Sequence, residues 1–543
     1  MTQFFTSLAR TLLWYAPAAA LLLASRRVVM YYQLSSYQFR GFLGALKRQP
    51  KHAWIPGAVL AIWGFFTCFV FDKLSLRGGV FSVLAPLLGA AVMLAWGALL
   101  DKFSYQRREG KSKLNLTARV KRFYAVLFAL MVFVLWLLKR FAPIMGFNAL
   151  LVLPMPLWVL LAAVLVLPIE RLMYELYFRD ARSTLLKRQD VTRIAITGSY
   201  GKTSVKFYLQ TLLSQKYNVL CTRGSMNTPM GVSTVVRNDL TPAHNVFIAE
   251  MGARHRRDIR ELCRLVKPEI GILTSVGPQH LQTFGSIENI KQTKYDLIRA
   301  LPGGGFAVFN NDHAIVASLY EQCRIPKAIT GSQGDDVWAE DVQDHYAQDH
   351  VYTTFTLCFE DGKRLPCTTY VTGAHVIRNI LMAVAVARHM GLSDKQIQYG
   401  IELIPPIRNR FMVETGPDGV HRINNGYNSN PVSSAQTLAE LGSGRYEGRR
   451  VIITPGFVEL GREEKRFNQE LGQHIAKVAD KVFLIGAKRT LPILEGLKES
   501  GFDEGDIHVF DTLKDANAFY DTIKRQGDYV LYENDLPDHY SEV

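Results

Sequence analysis

The stretch Val191–Ser204, VTRIAITGSYGKTS, decides the fold of the part of the chain that follows it. Its β-branched run Val191–Thr197 predicts a strand, and the pattern Val205–Leu213 just after it predicts a helix. A strand, a glycine-rich loop and a helix in this order are the usual setting of a phosphate-binding loop. The glycines let backbone N–H groups approach phosphate oxygens, and the helix amino terminus adds partial positive charge. The stretch therefore predicts an α/β domain that binds a nucleotide.

The side chains of this loop predict how the nucleotide is held. We expect Lys202 to supply a mobile cation to the outer phosphates and Thr203 to supply a hydroxyl to Mg²⁺. Two residues separate the glycines of the loop, whereas the general GxxxxGK[ST] loop has about four there. A chance glycine turn is the alternative, but the flanking strand and helix patterns argue against it. The other expected nucleotide contacts are Gly198, Ser199, Tyr200, Gly201 and Ser204.

Upstream of the loop, apolar stretches predict a membrane region. Each is about long enough to cross a hydrocarbon core of roughly 30 Å. A cleaved signal peptide is the alternative for the first stretch, but Tyr15, Pro17 and the arginines at 26 and 27 favour an anchor. We therefore expect about five transmembrane helices within residues 1–187. The stretches are Leu8–Ala24, Ala53–Phe71, Val80–Leu100, Phe123–Leu138 and Ala149–Ile169.

Charge distribution predicts the orientation of this region. Residues 1–187 hold 23 Lys and Arg against 6 Asp and Glu, whereas the whole chain has a net charge of +15. The excess lies between apolar stretches, so nucleic acid is not an expected partner. The basic loops Ser25–His52 and Asp101–Arg122 are expected on the cytoplasmic side. Five crossings then place the amino terminus outside and the residues after Glu170 in the cytoplasm of a multi-pass inner-membrane protein. Lys139 and Arg140 would lie on the outer side, which is contrary to the usual placement of basic residues on the cytoplasmic side.

From about residue 190 to 470 the chain resembles the Mur ligases, whose loops have the short form T-G-x-x-G-K-T/S. The resemblance is closest to the MurF type, which adds D-alanyl-D-alanine. The motifs that carry it, in chain order, are ITGSYGKTSVK, Asn227 in GSMNTPMGV, Ala249–Gly252, His280-Leu281 with Phe284–Ser286 and Lys294, Asn310–Asp312, Gly373–His375 with Asn379, and Arg410 with Tyr427–Pro431.

The apolar stretches, the strand and helix patterns and the resemblance together predict three regions, and the resemblance implies a reaction. A membrane region at 1–187 is followed by an α/β P-loop ligase domain at 188–404 and a Rossmann-like α/β domain at 405–543. Strands are expected in the last domain at Val451–Thr454, Lys481–Ile485, His508–Phe510 and Tyr529–Tyr532. The reaction uses ATP to convert a peptide carboxylate into an acyl phosphate, which an amine donor then attacks. Positioning and cations should dominate such catalysis.

The same resemblance implies metal sites. It assigns one Mg²⁺ to Glu250 with Thr203 and a second Mg²⁺ to His280. It matches Lys294 to a lysine that many Mur ligases carry as a carbamate, although the neighbouring Lys291 is a competing candidate.

Further residues are assigned to nucleotide and substrate. Asn310 is expected at the adenine, and Arg410 is expected to close onto phosphate when the last domain moves. His375 and Asn379 are expected at the nucleotide, with helix packing as the alternative. Asn425 could bond a ribose. The residues expected to bind the ligated substrates are Asn227, Thr228, Tyr427, Asn428 and Asn430.

Three features depart from the family pattern. Asn424-Asn425 stands where an acid is expected, and the tail Tyr532–Asp538 replaces a lysine-glycine-serine-arginine segment. Membrane spans occupy the place of the domain that binds the UDP end of the substrate. We therefore expect membrane lipid as a partner and a carboxylate substrate that is lipid-linked or otherwise located at the bilayer. A poly-γ-glutamate-type amide ligase and a nucleotide-binding scaffold without catalysis are the alternative functions.

Glu170–Lys187 has the pattern of an amphipathic helix leaving the membrane. A solvated surface helix and a lever that sets the following domain against the bilayer both fit this pattern.

Overall fold

The computed structural model describes residues 2–35, 37–106, 113–142, 144–346, 351–371, 373–405, 412–426, 430–444, 446 and 448–536. These fall into two compact units that divide between Met173 and Tyr174, with the second unit ending at Asp535. The domain boundaries expected from the sequence, at 187/188 and 404/405, stay predictions.

The first unit is helical, and long apolar helices lie where the sequence predicts them. Five helices have the length and composition to cross a membrane: Gln3–Ala24, Pro50–Ser75, Phe81–Tyr105, Ala118–Phe141 and Met155–Lys187. The last of these includes the predicted amphipathic segment as its carboxyl-terminal half. The helices are α1 (Thr2–Ala24), α2 (Arg26–Leu34), α3 (Phe39–Arg48), α4 (Pro50–Ser75), α5 (Phe81–Asp101), α6 (Ala118–Phe141), α7 (Phe147–Leu150) and α8 (Met155–Lys187).

Ion pairs join these helices at two levels. Near one end of the unit, Arg10 of α1 bonds Asp72 of α4 at 2.6 Å. Near the other end, Arg26 bonds Asp101 of α5 at 2.9 Å. The two arginines lie roughly 24 Å apart, because an α-helix rises about 1.5 Å per residue. This separation is close to the thickness of a hydrocarbon core of about 30 Å.

The second unit begins with a sheet in the order β2-β3-β1-β4-β5-β6-β7-β8-β9, parallel up to β7 and antiparallel from β7 to β9. Its strands are β1 (Thr192–Thr197), β2 (Val219–Cys221), β3 (Val246–Met251), β4 (Ile270–Leu273), β5 (Phe306–Asn310), β6 (Lys327–Gly331), β7 (Val337–Tyr346), β8 (Val351–Phe359) and β9 (Arg364–Thr369). The helices are α9 (Lys202–Leu213), α10 (Pro229–Asp239), α11 (Asp258–Val266), α12 (Leu281–Phe284), α13 (Ile287–Arg299), α14 (Ala314–Tyr320), α15 (Ala374–His389) and α16 (Asp394–Glu402).

Apolar clusters cover both faces of this sheet, as a parallel sheet requires. The strand β1 lies between β3 and β4, and all three run in the same direction. Their carboxyl ends therefore open on one edge, which is where ligands bind in open α/β sheets.

A second sheet completes the unit, in the order β10-β11-β15-β12-β13-β14. The four strands expected here are present, and the antiparallel pair β10–β11 is an addition that the sequence analysis missed. The elements are β10 (Met412–Thr415), β11 (His421–Asn425), α17 (Pro431–Leu441), β12 (Arg450–Thr454), α18 (Glu464–Ala476), β13 (Lys481–Ile485), α19 (Ala487–Glu499), β14 (Ile507–Phe510), α20 (Leu513–Ile523) and β15 (Tyr529–Glu533).

Candidate functional site

The glycine loop between β1 and α9 has room only for glycine at its start. A Cβ on Gly198 would lie 1.9 Å from Thr274 Oγ1 and 2.9 Å from Ser275 N. Gly201 adopts a left-handed φ of 84°, which favours glycine, and it begins α9 as its N-cap. Backbone can therefore approach a phosphate here without a side chain in the way, as the sequence predicts.

The loop is held in shape by the segment that follows β4. Ser199 N donates to Ser275 O at 2.9 Å, and Tyr200 N donates to Ser275 Oγ at 2.8 Å. Ser199 Oγ donates to Gly277 O at 3.0 Å. These bonds fix the loop from outside it, so its conformation is pre-organised.

Lys202 lies over the loop that it follows. Its Nζ donates to Gly198 O at 2.7 Å and to Ser199 O at 3.1 Å. Because Lys202 is the first residue of α9, its ammonium and the helix amino terminus place positive charge at the same point. This is the arrangement that the phosphates of a nucleotide need.

Asn379 lies beside the loop, and its expected contact with the nucleotide stays a prediction. Its Oδ1 is 2.8 Å from the position of a Cβ on Gly201. Asn310 donates from Nδ2 to Thr274 O at 3.1 Å and so ties the ends of β5 and β4 together. Its expected contact with adenine stays a prediction.

His313 is a residue that the sequence analysis missed. Its Nε2 and the Tyr200 hydroxyl are hydrogen-bonded at 2.7 Å, which fixes the one aromatic side chain of the loop. Burial lowers the pKa of His313, so a neutral ring is favoured. The sequence signal was its place directly after Asn310–Asp312.

Glu250 is buried near the end of β3 and is paired with a lysine that the sequence analysis did not single out. Its Oε2 lies 3.2 Å from Lys206 Nζ, and its Oε1 accepts a hydrogen bond from Asn227 Nδ2 at 3.1 Å. Burial alone would raise the pKa of Glu250, but Lys206, Lys202 and the Asn227 amide outweigh it and lower that pKa. The carboxylate therefore stays ionised.

Lys206 also reaches the predicted substrate loop. It is fully buried on α9, and its Nζ donates to Gly224 O at 2.5 Å. Thr228 in the same loop caps α10, because its Oγ1 accepts a hydrogen bond from Gly231 N at 3.2 Å. The loop that contains Asn227 is thus attached both to Glu250 and to the helix that begins with Lys202.

His280 lies at the N-cap of α12 and meets a residue from the second sheet. The Glu459 carboxylate accepts a hydrogen bond from His280 Nδ1. Burial lowers the pKa of His280, opposed by Glu459 and assisted by Arg254 and Lys202. A neutral imidazole keeps a lone pair, which a metal ligand requires.

Lys294 lies on α13 with 2% of its surface exposed. Burial lowers its pKa well below the usual range, and the charge of Lys202 lowers it further. Within the described parts of the chain its amine makes no hydrogen bond or ion pair. Lys291, the competing candidate, pairs with Glu288 at 2.7 Å on the helix surface. Lys294 is therefore the buried amine of the two, and its expected carbamate stays a prediction.

One charge connects these predicted residues. The positive charge of Lys202 lowers the pKa of Glu250, of His280 and of Lys294. No cluster of three or more His, Cys, Asp or Glu that could hold a metal occurs among the residues described. The Glu250 carboxylate and the Thr203 hydroxyl nevertheless offer oxygen ligands of the kind that Mg²⁺ takes together with phosphates and water.

Two of the three departures from the family pattern, Asn424-Asn425 and the tail Tyr532–Asp538, meet in one hydrogen bond of the second sheet. Asn425 Nδ2 donates to the buried Glu533 at 2.9 Å and to Thr437 Oγ1 at 2.9 Å. The acid missing from β11 is thus matched by an acid on the adjacent β15. Asn430 accepts hydrogen bonds from Val432 N and Ser433 N, both at 3.1 Å, and so caps α17.

Several predicted residues lie outside the described residues. These are Arg410, Tyr427 and Asn428, together with the side chain of His375. Thr203 and Ser204 lie in the first turn of α9, because the helix begins at Lys202 and not at Val205 as the sequence pattern predicts.

Comparisons with known proteins agree with this geometry. Residues 196–387 match the family described as Mur ligase middle domain. A UDP-N-acetylmuramoyl-tripeptide–D-alanyl-D-alanine ligase of Mycobacterium bovis is 33% identical over 363 residues, which cover 63% of this chain and 70% of that protein. The enzyme of the same name from Escherichia coli is 29% identical over 302 residues, 54% of this chain and 64% of its own length.

Solved structures share the fold. A MurF structure from Acinetobacter baumannii aligns with a TM-score of 0.60 and 24% identity, over 68% of this chain and 78% of that one. A MurF ligase from Thermotoga maritima in complex with ADP aligns with a TM-score of 0.59 and 24% identity, over 68% of this chain and 82% of that one.

Proposed function

The chain belongs to the Mur ligase family, and from this premise we propose that it joins a cell-wall peptide to an amine at the cytoplasmic face of a membrane. The expectation of an ATP-dependent amide ligase resembling the MurF type is confirmed by these relatives. The observation that carries the proposal is the Lys202 ammonium at the amino terminus of α9, above a glycine loop whose first residue has no room for a side chain.

The proposed reaction has two steps. A carboxylate oxygen of the peptide forms a bond to the γ-phosphorus of ATP, and the bond from that phosphorus to the leaving ADP oxygen breaks. The amine nitrogen then bonds to the acyl carbon, phosphate leaves and the nitrogen loses a proton. Lys202 and the loop N–H groups hold the phosphates in line, which is the main contribution that a protein makes to phosphoryl transfer. Mg²⁺, held by Thr203 and Glu250 at one site and by His280 at another, would neutralise phosphate charge.

Lys294 is proposed to carry a carbamate. A neutral amine attacks CO₂, forms an N–C bond and releases one proton, and burial lowers the pKa of Lys294 and so favours its neutral form. The product is an anion within reach of the Lys202 charge. A ¹³C NMR spectrum of protein equilibrated with ¹³C-bicarbonate should contain a carbamate signal that Lys294→Arg lacks and Lys291→Arg keeps. The opposite pattern would assign the carbamate to Lys291.

The proposed location is the cytoplasmic membrane, with the catalytic part in the cytoplasm and the amino terminus outside. Its support is the set of five apolar helices and the two levels of ion pairs within the first unit. An enzyme anchored in this way would encounter a lipid-linked peptide within the membrane, so the peptide would not have to diffuse through the cytoplasm. We therefore propose a lipid-linked substrate, with membrane lipid as a partner.

Ligation assays test both parts of this proposal. Purified protein in detergent or vesicles is given Mg-ATP, an amine panel that includes D-alanyl-D-alanine, and either UDP-linked or lipid-linked muropeptide. We expect phosphate release that requires both substrates, and mass spectrometry should find the ligated peptide. Equal or better use of the UDP-linked form would contradict the lipid-linked substrate. ATP binding without phosphate release for any pair of substrates would favour a scaffold.

A further inference from the structure

Two residues of the first sheet domain touch two residues of the second at one place. His280 Nδ1 bonds the Glu459 carboxylate, and Gln282 N donates to Glu459 O at 3.1 Å. A Cβ on Gly461 would lie 3.3 Å from Gln282 Cα. We call these four residues the 280–459 clasp. Both segments belong to the second compact unit.

The backbone at the clasp is held in an uncommon conformation. His280 has a φ of 53° and Glu459 a φ of 65°, which is the left-handed region that residues other than glycine rarely occupy. Such conformations persist where the surrounding structure imposes them, and they concentrate at functional sites. Here the two left-handed residues are the two that share the side-chain hydrogen bond.

The chemistry of the hydrogen bond indicates its role. An imidazole whose Nδ1–H donates to a carboxylate keeps its Nε2 lone pair available, and its orientation and tautomer are fixed. Histidines that bind metals commonly have such a carboxylate partner, which also raises their basicity. The carboxylate comes from the segment after β12, whereas the other predicted metal residues lie in the first sheet domain.

We propose that Glu459 is a positioning residue that holds the His280 imidazole ready for a metal ion, so that metal affinity depends on docking of the C-terminal sheet domain. The inference rests on the proposed metal role of His280. It extends that role by assigning a positioning function to Glu459, a residue of the C-terminal sheet domain. The clasp would then make the second metal available only when both domains are in contact.

Mn²⁺ binding to the whole protein, followed by electron paramagnetic resonance in the presence of a non-hydrolysable ATP analogue, tests the proposal. Glu459→Ala should weaken the second Mn²⁺ site about 10- to 100-fold, because loss of such a partner has this effect in other metal sites. Glu459→Gln, which keeps a hydrogen-bond acceptor without the charge, should lose less. Glu470→Gln on α18, an exposed carboxylate that pairs with Arg466, is the matched control and should bind as the wild type does.

Gly461→Val tests the 280–459 clasp without removing the Glu459 carboxylate. The added side chain would press on Gln282 and strain a residue whose φ is 63°. We expect the same direction of change in Mn²⁺ affinity although Glu459 is intact, and thermal unfolding should report that each variant is folded.

The outcomes distinguish this inference from the proposed function. Weak binding in His280→Ala with normal binding in Glu459→Ala would overturn the inference and leave the metal role of His280 standing. Normal Mn²⁺ binding in His280→Ala would overturn both the inference about Glu459 and the proposed metal role of His280.

Discussion

Lys202 and Lys206 lie one turn apart on α9, and their burial gives them different roles. The Lys202 ammonium donates to two carbonyls of the glycine loop, whereas the Lys206 ammonium is fully buried beside Glu250. An accessible lysine at a helix amino terminus is suited to bind a ligand. A buried lysine paired with a carboxylate is part of the structure.

Lys202→Ala should abolish turnover without unfolding the protein. The change removes a cation from the phosphates, and loss of one such group commonly lowers the rate by at least about 100-fold. Phosphate release measures the effect, and thermal unfolding should give an unchanged midpoint. Lys395→Ala, an exposed lysine on α16, is the control. Retained activity in Lys202→Ala would argue against the loop assignment.

Lys206→Met should destabilise the protein strongly. The Glu250 carboxylate would remain buried without its cation, and breaking such a pair costs about 3–5 kcal/mol. Chemical denaturation monitored by a probe in the catalytic unit measures the change. Lys206→Met combined with Glu250→Gln should recover part of the loss, because no unpaired charge then remains. A single variant as stable as the wild type would contradict the buried ion pair.

Lys294 predicts a pH dependence of stability. Its folded pKa lies well below 10.5 because of burial, so between the folded pKa and about 10.5 the unfolded chain binds more protons. The free energy of unfolding contributed by this residue therefore rises with pH across that window. In CO₂-free buffer, Lys294→Met should remove this part of the slope between pH 7 and 9.5. Parallel profiles for the two proteins would show that the amine is not buried as described.

At the scale of elements, the glycine loop is the part that local sequence predicts best. The strand β1, the loop and α9 follow from residues that are neighbours in the chain. Lys206, His313 and Glu459 were missed because their partners are distant in sequence: Glu459 lies 179 residues from His280. Local periodicity in the sequence does not predict such long-range pairings. They form only when the fold brings the ends of two strands together.

The pair β10–β11 shows the same limit. Its strands are short, and β11 is stabilised by pairing with β15, which comes from the end of the domain. The five apolar helices are, by contrast, easy to predict from the sequence, because their length and composition are local properties. Burial of Lys294 could not be read from its helix, since a lysine on α13 is expected to be exposed.

Gly198→Ala tests the loop as an element. The added methyl would occupy the position that lies 1.9 Å from Thr274 Oγ1, so the loop or the segment after β4 must move. We expect the dissociation constant of a fluorescent ATP analogue to rise by about 10-fold or more, which is about 1.4 kcal/mol. Gly304→Ala has open space around its Cβ and should bind normally. Equal affinities would show that the close approach at Gly198 does not shape the site.

At the scale of the whole molecule, the proposed topology makes a prediction about access. Leu76 lies after α4 and Leu116 before α6, and both side chains are exposed. Leu76→Cys should react with an impermeant maleimide added to intact cells, whereas Leu116→Cys should react only after permeabilisation. All six natural cysteines are buried, so the background should be low. If only Leu116→Cys were labelled in intact cells, the topology would be the reverse of the proposed one. The glycine loop would then lie outside the cell, away from ATP.

The hydrogen bond between Asn425 and Glu533 also constrains how this sequence can change over generations. With 2.9 Å between Nδ2 and Oε2, an aspartate at 425 would face the Glu533 carboxylate at close range, and two such anions repel. A lineage could recover the acid on β11 only together with a neutral or basic residue on β15. Each half-step would be selected against, so the two positions should drift as a couple or stay where they are.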